Sequence, residues 1–164
     1  MKPHSNETAY FAAGCFWGVQ HFFDQQPGVL STRVGYMGGH QNDPTYDQVC
    51  MGMTGHVETV EVVFEPSTVS YEALVKLFFE IHDFEQTNGQ GPDIGAQYLS
   101  VIFVANQGQR EVAEAVIDEL GTLGYEVATS VRVAERFWSG EEYHEKYYAK
   151  KGGQPYCHVR RKIF

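Results

Sequence analysis

Apolar positions recur along this chain with two different periods, and the switches between them divide it into elements. Glu7 to Ala13 reads as a short strand, which gives way at Gly14-Cys15 to a run in which Phe16, Val19, Phe22 and Phe23 return at helical spacing. Pro27-Gly28 breaks that helix, and Val29 to Met37 reads as extended up to the Gly38-Gly39 turn. A polar loop to Asp47 follows. Val60, Val62 and Phe64 then alternate with Glu61, Val63 and Glu65, the period of a strand that lays one face on a core, and Pro66 ends it.

Ser70 predicts an N-cap for a helix whose Leu74, Leu77, Phe78 and Ile81 form one apolar stripe. Asp83 to Ala96 reads as a loop long enough to suspect function, and the apolar run Tyr98 to Ala105 as a buried strand. A helix from Gln107 to Leu123, with Val112, Ala115, Val116 and Leu120 on one face, precedes a strand over Glu126 to Val133. A short helix is predicted over Glu142 to Lys150. Beyond Lys151 the turn-rich Gly-Gly-Gln-Pro predicts an irregular, mobile tail. Alternating strands and helices imply an α/β sandwich in the broad sense. With no repeat, low-complexity tract or linker, residues 1–164 are expected to form a single domain.

Composition narrows the function classes. The chain has 164 residues, 43% hydrophobic and 14% aromatic, ample for one packed core. A formal charge of −9 argues against a surface that tracks phosphates, so no nucleic-acid partner is expected. No run approaches the ~18 apolar residues of a membrane helix, and Met1 to Thr8 lacks the basic and apolar stretches of a signal peptide. A soluble, cytoplasmic protein follows as the expectation. Cys15, Cys50 and Cys157 are odd in number and widely spaced, which suits redox or catalytic chemistry better than a disulfide framework.

Cys15 stands out among them. A thiol at the first turn of a helix lies at the positive end of the helix dipole, which favours the nucleophilic thiolate. The bland alternative is a buried structural cysteine, because such cysteines are among the most buried side chains. Phe16 and Trp17 follow it directly. If one of them is exposed it forms an apolar wall beside the thiol, suited to a small group such as a methyl; otherwise both rings pack in the core.

The run Gly14-Cys15-Phe16-Trp17-Gly18 resembles the signature of the peptide-methionine (S)-S-oxide reductases, the A class of methionine sulfoxide reductase. Further segments are similar to the same family in the same order: Gly35-Tyr36-Met37-Gly38-Gly39, Asn42-Asp43-Pro44-Thr45-Tyr46, Thr54-Gly55-His56-Val57-Glu58, Asp93-Ile94-Gly95-Ala96-Gln97-Tyr98 and Tyr143-His144. The resemblance runs from about Ala9 to His158. It implies an α+β fold, a two-layer αβ sandwich with a ferredoxin-like core, a mixed or antiparallel sheet and an irregular C-terminal tail.

It also implies a set of roles. Cys15 is the nucleophile, and Glu58 the acid that protonates the sulfoxide oxygen. Phe16 and Trp17 bind the substrate from the apolar side, while Tyr46, Asp93 and Tyr98 complete the polar side. Cys157, in its Tyr-Cys-His setting, is the resolving cysteine that condenses with the Cys15 sulfenic acid. No cysteine follows it, so a single resolving step is implied. Thioredoxin, or dithiothreitol in vitro, would supply the electrons with no metal or organic cofactor. Free methionine sulfoxide and oxidised proteins are the implied substrates, with the S epimer preferred, and a monomer is the expected state. Cys50 reads as a small packing residue.

Met37 and Val57 stand where alanine is usual in the family, Pro92 where asparagine is common and Leu99 where arginine often follows. The stretch His82 to Gln86 lacks the proline and threonine often found after His-Asp, which leaves the path to Asp93 open. Other classes stay in view. His40, Cys50, His56, Cys157 and His158 are possible metal ligands, but no Cys-x-x-Cys pair or zinc-protease helix accompanies them. A cysteine hydrolase would pair Cys15 with a histidine and would need an oxyanion hole. A non-catalytic binding module with an aromatic lining is the plainest rival.

Overall fold

A computed structural model describes residues 6–52, 54–151, 158 and 160–164. The N-terminal strand β1 (Glu7–Ala13) enters the middle of the sheet, and Gly14, at φ +91°, turns the chain straight into α1 (Phe16–Asp24). Only glycine adopts that backbone conformation without a steric penalty. Helix α1 buries Phe16, Val19 and Phe23 on the stripe its periodicity marks, and Gly28, at φ +95°, redirects the chain into β2 (Val29–Met37). A five-residue helix α2 (Tyr46–Cys50) and β3 (Val57–Phe64) follow.

Ser70 caps α3 (Tyr71–Glu80) as predicted, its hydroxyl accepting from the Ala73 N–H at 3.0 Å. Beyond it the chain forms a two-residue ladder, β4 (Gly89–Gln90) with β5 (Asp93–Ile94), then a single 3₁₀ turn Ala96–Tyr98 and β6 (Ser100–Val104). Asn106 caps α4 (Gln107–Thr122), which returns the chain to β7 (Ser130–Val133). The edge strand β8 (Trp138–Ser139), a 3₁₀ turn Glu142–His144 and α5 (Tyr147–Lys151) complete the regular elements described.

The principal sheet runs β7-β6-β1-β3-β2-β8. Its inner four strands are antiparallel and, with α1 and α3, make the βαββαβ arrangement of a ferredoxin-like core. The α4 crossover adds β7 parallel to β6, so the sheet is mixed. The main core joins α1, α3 and α4 to the face bearing Phe11, Tyr36, Val60, Val62, Phe64 and Ile102. A smaller cluster of Ala12, Met37, Val57, Val101 and Phe103 occupies the opposite face. The two-layer α+β expectation is met.

Several elements differ from the sequence reading. The strand expected over Glu126 to Val133 is regular only from Ser130, because the preceding amides bond elsewhere: Glu126 N–H to the Glu85 carboxylate and Ala128 N–H to the Phe84 carbonyl. The helix expected over Glu142 to Lys150 is split at Lys146, whose φ of +55° is left-handed. The polar loop to Asp47 already holds the start of α2. The tail's described residues are irregular, as expected, yet they are tied down. Arg161 N–H donates to the Glu80 carbonyl, and the Glu80 carboxylate accepts from the Arg160 guanidinium at 3.1 Å and the Ile163 N–H at 2.9 Å.

Candidate active site

Cys15 occupies the N-cap position of α1 and is half-buried at the strand-to-helix turn its sequence predicts. The ring of His158 lies over this turn, its Nε2 within 2.6 Å of the Ala13 carbonyl oxygen. Gly18 explains itself here, since a methyl group at that position would collide with the same imidazole. Of the two aromatic residues after the thiol, Phe16 is wholly buried and Trp17 is partly exposed. The Trp17 indole N–H donates to His144 Nδ1 at 3.0 Å, and its ring stacks on Tyr147 at 3.9 Å between centroids.

Glu58 reaches the same spot from β3. Antiparallel pairing sets it opposite Tyr36 on β2, so both side chains point toward α1. Glu58 is 1% exposed, and its Oε1 accepts the Phe16 N–H at 3.2 Å. Among the described residues its Oε2 has no hydrogen-bond partner. Burial pushes the carboxyl up to about 8; the Phe16 N–H opposes that and the Asp93 charge adds to it. A carboxyl at the start of α1 therefore holds its proton near neutral pH.

Two phenols flank it. The Tyr46 ring, at the first position of α2, packs against His144 at 4.3 Å and Phe16 at 6.3 Å. Burial, then the Glu58 charge, raise its pKa. Tyr98, closing the 3₁₀ turn, is raised by burial and then by Glu58, Cys50, Asp93 and Cys15, which places its hydroxyl within electrostatic reach of all four. Both phenols stay protonated as donors. Asp93 is half-buried in β5. The fold thus gathers Cys15, Phe16, Trp17, Tyr46, Glu58, Asp93 and Tyr98 around one end of the sheet. Cys157 lies outside the described residues.

Cys50 is corrected: it is exposed at the end of α2, because Val49 takes the inward position of that turn. Its thiol lies beside the Tyr46 hydroxyl. His56, a possible metal ligand by residue type, spends both ring nitrogens on backbone, at the Gly39 N–H and the Gln41 carbonyl. Among the described residues no three His, Cys, Asp or Glu side chains come together as a metal site, and no helix is long and apolar enough to cross a membrane.

Sequence reasoning assigned no role to three side chains that build this site. Tyr36 sits under Phe16 at 5.8 Å, His144 touches Trp17, Phe16 and Tyr46, and Glu141 accepts from both the Tyr36 hydroxyl and the Tyr46 N–H. Tyr36 and His144 fall inside the segments Gly35-Tyr36-Met37-Gly38-Gly39 and Tyr143-His144 that carry the sequence resemblance. Glu141 carries no local signal.

Comparisons with known proteins agree with this architecture. A family model described as peptide methionine sulfoxide reductase matches residues 7–164. The peptide methionine sulfoxide reductase MsrA of Methanoculleus marisnigri is 49% identical over 157 residues, covering 93% of this chain and 96% of that one. Among solved structures, the reduced form of Mxr1 from Saccharomyces cerevisiae superposes with a TM-score of 0.90 at 30% identity, over 98% of this chain and 95% of that one. Methionine sulfoxide reductase A of Corynebacterium diphtheriae gives 0.81 at 35%, over 94% and 80%. With likeness in sequence and fold sustained over nearly its whole length, the chain belongs to the peptide methionine sulfoxide reductase family of oxidoreductases.

Proposed function

We propose that this protein reduces the S epimer of methionine sulfoxide, free or within oxidised proteins, by thiol chemistry at Cys15. The observation that carries the reading is that thiol at the N-cap of a helix whose first amide donates to a buried carboxyl, one that desolvation pushes up to about 8. The Cys15 thiolate attacks the sulfoxide sulfur while Glu58 delivers a proton to the oxygen, through the carboxyl oxygen that has no partner among the described residues. Tyr46 and Tyr98 donate to the same oxygen.

The protonated oxygen then passes from the substrate sulfur to the Cys15 sulfur as the new sulfur–sulfur bond and the substrate's sulfur–oxygen bond break, so methionine leaves and Cys15 is left as a sulfenic acid. The Cys157 thiol then displaces it as water and forms the Cys15–Cys157 disulfide. Thioredoxin reduces that disulfide by dithiol exchange, and in vitro dithiothreitol replaces it. The outcome is repair of oxidised protein.

The test is a single turnover. Reduced protein is mixed with one equivalent of each epimer, methionine is quantified, and any disulfide is located by digestion and mass spectrometry. One equivalent of methionine and a Cys15–Cys157 bridge, with the S epimer only, is expected, and Cys15→Ser should release none. No methionine from either epimer would end the reading; a Cys15–Cys50 bridge would remove Cys157 from it.

A further inference from the structure

Glu141 has no part in the steps above, yet its carboxylate reaches into the site. Oε1 accepts the Tyr36 hydroxyl at 3.0 Å; Oε2 accepts the Tyr46 N–H at 3.0 Å and the Tyr143 hydroxyl at 3.4 Å. Every partner presents a donor to one of its two oxygens. The Tyr46 contact spans 95 residues and falls on an amide at the start of α2 that has no acceptor within its own helix.

Thr45 and Gln48 close a capping box at the same end, with the Gln48 N–H on the Thr45 hydroxyl at 3.2 Å and the Thr45 N–H on the Gln48 side chain at 2.9 Å. The box leaves the Tyr46 N–H over, and Glu141 takes it. Fixing that amide fixes the direction in which the Tyr46 side chain leaves the backbone, and so where its hydroxyl stands.

We propose that Glu141 is a positioning residue for sulfoxide reduction, acting through Tyr46 by holding the first amide of α2 so that the phenol faces the sulfoxide oxygen. The inference rests on the reading of Tyr46 as an oxygen-side donor. A hydroxyl moved by ~1 Å loses most of its transition-state contact, a loss on the order of 10-fold to 100-fold in rate. A carboxylate that merely fastened the C-terminal segment would act whether or not residue 46 carried a hydroxyl.

A double-mutant cycle separates these roles. Single-turnover methionine release from the S epimer is measured for the parent, Tyr46→Phe, Glu141→Ala, their combination and Glu141→Gln, with melting temperatures alongside. Each of the first two changes is expected to slow release about 10-fold or more, and the combination should fall within about twofold of Tyr46→Phe alone. Glu141→Gln retains an oxygen for the Tyr46 N–H and should recover most of the rate.

If Glu141→Ala slows release equally with and without the Tyr46 hydroxyl, the proposal is overturned. Should Glu141→Ala not fold, the cycle is run with Glu141→Asp, whose carboxylate falls one methylene short. A parent rate in Tyr46→Phe would remove the donor reading and this inference together, while methionine release from the S epimer would still stand for the reductase.

Discussion

Glu58 owes its behaviour to desolvation. Among the described residues the charge that shifts it is the carboxylate of Asp93, which raises it further, and the group keeps its proton up to about pH 8 in the folded chain, against 4.5 as the ordinary value. Between those values the folded state binds a proton that the unfolded state has lost, so stability falls as pH rises, and above 8 the full cost is present. Glu58→Gln is neutral throughout. It should match the parent in urea unfolding at pH 5 and exceed it at pH 9, by at most about 5 kcal/mol. Equal unfolding free energies at both pH values would mean that the carboxyl is ordinary. Methionine formation in the parent should decline through the same upper limit, as the proposed proton donor is lost.

At the scale of elements, the joints around the site carry the information. Lys146 adopts a left-handed conformation that costs a side-chain-bearing residue about 1 kcal/mol, and it is held there by polar contacts. Its ammonium donates to Asp24 at 2.8 and 2.9 Å and to the Thr32 hydroxyl at 2.8 Å, and its N–H donates to Gln20 at 2.7 Å. These bonds fix the segment that presents His144 and Tyr147 to Trp17. Lys146→Ala loses the ion pair and keeps the strain, whereas Lys146→Gly loses both. The glycine variant should therefore be the more stable of the two by about 1 kcal/mol in thermal unfolding; the opposite order would show that the backbone is relaxed there.

The same scale explains what the sequence made legible. Cys15 at a strand-to-helix turn, the Ser70 cap and the alternation over Val60 to Phe64 are local signals, and the fold follows them. Strand β8 has two residues and helix α2 five, too few for a period to register. Glu141 is invisible for a related reason: its partners within the site, Tyr46 and Tyr36, are 95 and 105 residues away in sequence, and only the assembled sheet edge brings them within reach. The loop to Asp93 lacked familiar residues after His82-Asp83, yet Gln90 secures it by bonding the Asp83 N–H and carbonyl through its side chain.

Across the whole molecule, the C-terminal residues act as a fastening on the back of α3. Glu80 is 6% exposed and gathers Arg160 and Ile163 on its two carboxylate oxygens, while Arg161 lies over the rings of Phe84 and Tyr125. Glu80→Ala should lower the unfolding free energy by about 1–3 kcal/mol, the range for a charge-assisted hydrogen bond. Limited proteolysis should then cut near residues 160–164 first. Unchanged cleavage there would show that the fastening lies elsewhere.

Strand β1 is made first but sits between β3 and β6, so on the ribosome it waits for residues 57–64 and 100–104 before it is paired on both sides. The thiol of Cys15 emerges just after β1, the Glu58 carboxyl forty-three positions later, and Glu141, the acceptor for the Tyr46 amide, eighty-three positions after that. A nascent chain thus exposes its sulfur well before the groups that surround it in the folded site are in place.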